Sequence, residues 1–407
     1  MIGKDEKGVL SDQHIHDDLT FSILSKLPLK SLKRFGCCCK SWGFLLESPV
    51  FMSMYRNNFI SNNYYDDTSV VLLNHLPPFS MENEFNSTLY LLSGERFENK
   101  VKLDWPPLLH ENVRDIRMLS NDSINGFVLF QQQTTIVLWN LTTDEFKVIP
   151  PSLVEFESPY RETSIIFHGF GYDHVRDDYK VIQRVHFFYL IDSDFDRLGV
   201  LYEEVSWEDV SLHPLWEIYS LRSNSWSRLD VNVADCCHQI PGYQVYVDGM
   251  CHWWGHEGIP QEQCLVSFDL SNQVFFTTPM PLDMDDMRAF LGSTNDDFDF
   301  SLDRYLVVLN GSIALISYYV ETTIFHISIL GEVGVKESWT KLFIVGPLPC
   351  VYCPIGVGKN GDIFFRRKDY ELVWFNLSTN MIEELGIKGE NNSCQIGIYK
   401  ENLISIE

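Results

Sequence analysis

The stretch Ile136-Val137-Leu138-Trp139-Asn140-Leu141-Thr142-Thr143-Asp144-Glu145-Phe146-Lys147-Val148-Ile149-Pro150 is an apolar strand, a polar turn and a second strand. Short apolar runs rich in Val, Ile and aromatics, bounded by Asn, Thr and Asp, are the signature of a hairpin. Four later segments repeat it: residues 216–229 (WEIYSLRSNSWSRL), 264–281 (CLVSFDLSNQVFFTTPMP), 323–342 (TIFHISILGEVGVKESWTKL) and 372–385 (LVWFNLSTNMIEEL). The second strand carries a Phe or Trp anchor in the first three. The third, 323–342, has a longer turn, and the last puts Met381-Ile382 at the anchor position. Internal repeats outrank local propensity in deciding a fold.

Working outward, another pair of short strands precedes each hairpin. Asn125-Gly126, Asp248-Gly249, Asn310-Gly311 and Asn360-Gly361 supply the positive φ angles that tight hairpins need. Four strands per unit, repeating every 45 to 75 residues or roughly so, is the spacing of a β-propeller. Five units are legible, and a degenerate first unit fits between 69 and 102. Two late runs, Gln395-Ile396-Gly397-Ile398-Tyr399 and Leu403-Ile404-Ser405-Ile406, are expected to close the ring against that unit. Closure protects strand edges that would otherwise pair with other chains. The expected fold is mainly β with a small all-α N-terminal module, the propeller having about six blades.

The start of the chain has a different period. Leu19, Ile23, Leu24 and Leu27 are helically spaced, with Asp17 or Asp18 able to cap the start and Pro28 ending the run. Leu32, Phe35, Cys38, Cys39 and Trp42 form a second apolar set with Lys30, Lys33, Arg34 and Lys40 between them. Ser48-Pro49 is a third helix start, continued by Phe51, Met54, Tyr55 and Phe59. So few residues make a marginal domain that needs a partner to cover its apolar faces.

These residues resemble an F-box. His16-Asp17-Asp18-Leu19, then Ile23-Leu24-Ser25-Lys26-Leu27-Pro28-Leu29-Lys30-Ser31-Leu32, then Cys39-Lys40-Ser41-Trp42 follow that family's pattern in order. The departures are Ile15-His16 for the usual Leu-Pro, Cys38 for the usual Val, and Gly36 inside a helix at a cost of about 1 kcal/mol. The rest of the chain resembles the kelch-like F-box-associated domain found behind plant F-boxes. Leu138-Trp139-Asn140 carries that resemblance, with Gly169-Phe170-Gly171-Tyr172-Asp173, Asp177-Asp178-Tyr179-Lys180-Val181 and Val335-Lys336-Glu337-Ser338-Trp339-Thr340. True kelch double-glycine signatures are absent from it.

The resemblance implies a three-helix F-box over 12–58, a disordered tail over 1–11, a linker over 59–68 and a target-recognising propeller over 69–407. It implies that the F-box binds a Skp-type adaptor, and through it a cullin, in an SCF (Skp-cullin-F-box) ubiquitin ligase. By motif position the adaptor-binding residues are Leu19, Ile23, Leu24, Leu27, Pro28, Leu29, Leu32, Phe35, Cys38 and Trp42. Some of these must pack internally instead, and the sequence alone does not sort them. The target is a protein that the sequence does not identify. A ligase-independent binding propeller with a degenerate F-box is the alternative, and a propeller enzyme or lectin is a third reading.

Charge agrees with a protein ligand. The formal net charge is −25. Residues 12–59 hold six Lys or Arg against four acids, a net +2, and the first eleven sum to zero, so the remainder carries −27. Such a surface repels phosphate backbones, which argues against nucleic acid. The opening Met1-Ile2-Gly3-Lys4-Asp5-Glu6 has no apolar signal-peptide core, and no apolar run spans a bilayer. The ten Cys are therefore expected as reduced thiols in the cytoplasm or nucleus.

Remaining chemistry-bearing patterns are sparse. Cys350-Val351-Tyr352-Cys353 has zinc or redox spacing but lacks a second ligand pair. Cys236-Cys237-His238 and Cys251-His252-Trp253-Trp254-Gly255-His256 could converge on a metal, or be blade packing. Asp283-Met284-Asp285-Asp286-Met287 and Asn295-Asp296-Asp297-Phe298-Asp299 lack calcium-loop spacing. No nucleophile elbow, phosphate loop or zinc-protease helix occurs, so no catalytic residue, metal or cofactor is expected.

Overall fold

The computed structural model describes residues 17–27, 31–32, 34–35, 44, 48–61, 69–76, 86–109, 116–120, 122–152, 154, 161–189, 213–230, 244–257, 262–281, 302–389, 394–403 and 405–406. The chain divides into two compact units, Met1–Ser61 and Asn62–Glu407.

In the first unit, α1 spans Asp17–Leu24 and α2 spans Pro49–Ser61. Ser31, Leu32, Arg34, Phe35 and Phe44 are also helical. The Ser48 carbonyl accepts the Met52 amide at 2.9 Å, so α2 opens at Pro49, where a missing amide proton costs nothing. α2 runs on to Ser61, so 59–61, expected as the start of a linker, are helical.

The second unit is a six-bladed propeller, each blade a four-stranded antiparallel sheet. Blade 2 is β4 (Ile116–Met118), β5 (Phe127–Gln132), β6 (Thr135–Asn140) and β7 (Glu145–Ile149). Blade 3 is β8 (Arg161–Asp173), β9 (Asp178–Tyr189), β10 (Leu215–Ser220) and β11 (Ser225–Leu229). Blade 4 is β12 (Val245–Val247), β13 (Met250–Glu257), β14 (Glu262–Asp269) and β15 (Val274–Pro279). Blade 5 is β16 (Leu302–Leu309), β17 (Ser312–Tyr319), β18 (Ile324–Leu330) and β19 (Trp339–Val345). Blade 6 is β20 (Val351–Val357), β21 (Asp362–Arg367), β22 (Glu371–Asn376) and β23 (Met381–Lys388).

Blade 1 is composite. β1 (Ser69–Leu76), β2 (Asn86–Ser93) and β3 (Asn99–Leu103) come from the start of the unit, and the innermost strand is β24 (Gln395–Tyr399). β24 pairs with β1 from Ser69↔Tyr399 to Leu73↔Gln395. The expected closure by 395–399 is therefore realised. Leu403, Ser405 and Ile406 are not strand. They lie along blade 2, where Glu145 accepts from Ser405 Oγ at 3.1 Å and from the Ile406 amide at 2.9 Å.

The core sits between blades. Ile136 and Leu138 pack toward blade 3 with Phe167, Phe170 and Val181, while Val137 and Trp139 pack toward blade 1 with Val71 and Leu73. Both faces of a middle strand are thus buried, which is why 136–139 reads as an unbroken apolar run rather than an alternating one. The four Asn-Gly and Asp-Gly pairs join first to second strands, with positive φ at both residues of each pair. These turns, and those joining third to fourth strands, gather at one end of the ring.

Candidate protein-interaction sites

In the helical unit, the structure separates residues that the motif leaves mixed. Leu24 and Leu32 are only 5% and 2% exposed, and they lie inside with Phe51 and Tyr55. Phe21 meets Phe51 edge-on at 5.9 Å, and Phe51 stacks on Tyr55 at 6.4 Å. Asn58 Nδ2 donates to Ser25 Oγ at 2.7 Å, tying the end of α1 to α2. Leu19 and Ile23 are 60% and 56% exposed. They are one helical turn apart and so form one stripe. Phe35 is 39% exposed and Leu27 half-buried. Phe44 and Val50 are also exposed, though the motif did not single them out. Burying a large apolar side chain of this kind is worth about 1.5–3 kcal/mol, so leaving these exposed forgoes that stabilisation. Pro28, Leu29, Cys38 and Trp42, with Ile15, His16 and Gly36, lie outside the described residues.

In the propeller, the family-like motif around Gly169 and Asp173 is a clasp between blades 3 and 4. Asp173 is buried and accepts from Lys180 Nζ at 2.5 Å, Ser271 Oγ at 2.5 Å and Arg176 Nη1 at 3.1 Å. Lys180 Nζ also donates to the Leu270 carbonyl at 3.1 Å. Burial alone would raise the Asp173 carboxyl, but these donors outweigh it and hold the pKa well below the usual carboxylate range. The glycines are required by closeness. A Cβ on Gly169 would sit 2.6 Å from Cys251 Cβ, and one on Gly171 would sit 2.5 Å from Leu270 Cδ1. The motif is thus structural.

The hairpin anchors do similar work where they are Trp. Trp226 Nε1 donates to the Pro150 carbonyl at 2.7 Å, and Trp339 Nε1 to the Pro279 carbonyl at 3.2 Å. Each joins an outer strand to the end of the preceding blade. Phe146 and Met381 depart from this and are exposed.

Among the described residues the metal-like patterns do not assemble. Among the described residues no group of three or more His, Cys, Asp or Glu is placed to hold a metal ion. His252 lies on strand β13, is buried, and shares a hydrogen bond of 2.8 Å with Ser267 Oγ. Burial pushes its pKa down to about 3, so it stays neutral. Cys251 and Cys264 are buried in the blade 3–blade 4 core. Cys350 is exposed, Cys353 half-buried, and burial raises the Cys353 thiol. Cys236-Cys237-His238 and both acidic segments lie outside the described residues. Among the described residues no helix is long and apolar enough to cross a membrane.

Comparison with known proteins agrees with this two-part architecture. The F-box domain matches residues 13–53, and the F-box associated beta propeller domain matches residues 78–403. The chain is similar to the F-box protein CPR1 of Arabidopsis thaliana, 25% identical over 95% of this chain and 88% of that protein. It is also similar to the Arabidopsis thaliana F-box protein At4g22390, 23% identical over 92% of this chain and 86% of that one. Neither the family matches nor the relatives' names indicate a kelch repeat or a catalytic domain. With helices of F-box type ahead of a closed six-bladed ring, the chain belongs to the plant F-box proteins that carry an F-box associated β-propeller domain.

Proposed function

We propose that this protein is the substrate-recognition subunit of an SCF ubiquitin ligase. The helical unit docks a Skp-type adaptor, which links it to a cullin, and the propeller holds a target protein. The protein then acts by proximity: holding the target beside an activated ubiquitin raises its effective concentration without bond chemistry in this chain. The observation that carries the reading is the exposed Leu19–Ile23 stripe on a helix whose other face is already filled by Leu24, Leu32 and Phe51. Leu19, Ile23 and Phe35 touch the adaptor in this reading, joined by Phe44 and Val50. Leu24 and Leu32 shape the module from inside. Leu27, Pro28, Leu29, Cys38 and Trp42 are assigned to the adaptor face by motif position. Such a role places the chain in the cytoplasm, the nucleus or both.

The test is capture of a purified Skp-type adaptor by the full chain, compared with Leu19→Asp/Ile23→Asp. Binding by the wild type and at least a tenfold loss in the variant, about 1.4 kcal/mol or more, is the expected result. No binding by folded wild type overturns the reading and favours a ligase-independent propeller.

A further inference from the structure

The outermost strand of each blade is a sheet edge, and among the described residues no strand pairs beyond it. Such an edge offers unpaired backbone groups to any extended chain, and proteins guard it with charge, Lys above all. Every outermost strand but one follows that rule. β3 carries Lys100 and Lys102, β7 Lys147, β11 Arg228, β19 Lys341 and β23 Lys388. β15, Val274-Phe275-Phe276-Thr277-Thr278-Pro279, carries no charged residue. Its Val274 and Phe276 are 45% and 42% exposed and, two residues apart, lie on one face of the sheet. Phe275 points the other way, into the blade 3–blade 4 core, its ring centre 4.6 Å from that of Phe268 and 5.0 Å from that of Trp216.

Only part of β15 is open. At its far end Thr278 Oγ1 accepts the Gly334 amide at 2.7 Å and the Pro279 carbonyl accepts Trp339 Nε1, so blade 5 holds that end. The open stretch, 273–277, complements itself. Laid antiparallel on its own copy about Phe275, it sets each Val274 opposite the other copy's Phe276. Aromatic and β-branched residues are a favourable cross-strand pair. A register about Phe276 would instead draw Thr278, already held by blade 5, into the pairing. Charge selects the occupant as well. Each copy carries −25, so two copies repel across most of their surface and meet most readily where neither presents a charge.

We propose that β15 is a self-association edge: two copies of this chain pair antiparallel through residues 273–277 and join their fourth blades into one continuous sheet. The contact is the same patch on both copies, so it closes at two. So short an edge makes a transient interface rather than a permanent one. A pair presents two propellers at once and holds a target with two binding segments more tightly than one propeller does.

The test is sedimentation equilibrium of the full chain with a thiol reductant, from about 1 to about 200 µM, at about 150 and about 500 mM NaCl. The expected result is monomer at the lowest concentration and dimer at the highest. The dimer fraction grows with salt, because screening relieves the repulsion and leaves strand pairing in place. Phe276→Lys restores the guard that the other outermost strands carry, and is expected to sediment as monomer throughout. Val274→Lys serves if that variant fails to fold. Leu19→Asp/Ile23→Asp, which removes the exposed apolar stripe of the helical unit, keeps the dimer. Wild type that stays monomeric over the whole range in both salts overturns the proposal. So does a dimer that survives in the folded Lys variants, or one lost only in Leu19→Asp/Ile23→Asp.

Discussion

Ile23 and Leu24 are neighbours in the helical unit, yet one faces solvent and the other is buried. Val137 and Leu138 are neighbours in the propeller, and both are buried. The contrast comes from what surrounds each element. α1 has one filled side and one open side, so similar residue types pack on one and stay exposed on the other. β6 lies between two neighbouring blades, so every apolar position has an interior to enter. A propeller completes its own burial, whereas a short helical unit leaves part of that task to a partner.

Breaking each region in turn sharpens the contrast. Phe51→Ala removes the centre of the helical core and is expected to cost about 3–5 kcal/mol. Calorimetry of the full chain, wild type against variant, measures the loss. In the propeller, Lys180→Met strips the cation from buried Asp173 and should cost about 3 kcal/mol. Denaturant unfolding followed by Trp fluorescence measures it, and an unchanged midpoint would show the clasp to be dispensable.

The clasp also sets a pH response. Because the Asp173 pKa is depressed in the fold, its contribution is present above the ordinary aspartate value of about 3.9 and is lost as pH falls below it. Asp362 has the opposite sign. It is buried beside Asn376 Nδ2 at 2.8 Å, and burial pushes its pKa up to about 7. The folded state holds a proton that the unfolded chain releases, so propeller stability falls as pH rises from about 4 to 7. Asp362→Asn should flatten that decline in a series of unfolding curves. The smallest effect is expected from Trp226→Phe, which loses one hydrogen bond to Pro150 and costs about 1 kcal/mol. A larger loss would mean that the anchor carries packing as well.

Much of this was legible in the sequence, and the reasons are local. The hairpin over 136–150 encodes strand, turn and strand in consecutive residues, and Asn-Gly pairs fix their turns without help from afar. The closing role of 395–399 followed from the count of strands. The run at 403–406 misled because apolar alternation suits any extended segment, and Glu145 captures it by side chain instead of by a strand ladder. Nor could the motif divide Leu19 and Ile23 from Leu24 and Leu32, because the division depends on where Phe51 and Tyr55 arrive from α2.

The composite first blade has a consequence for biosynthesis. β1 needs β24, and β24 is translated after every other described strand of the propeller. Until Gln395–Tyr399 emerges, every nascent propeller carries an open seam at β1, an unpaired edge that other chains can join. Blades 2 to 6 can form in order during translation, but the ring as a unit cannot. A stop codon ahead of Gln395 would therefore not merely shorten the protein; it would release a ring that never latches.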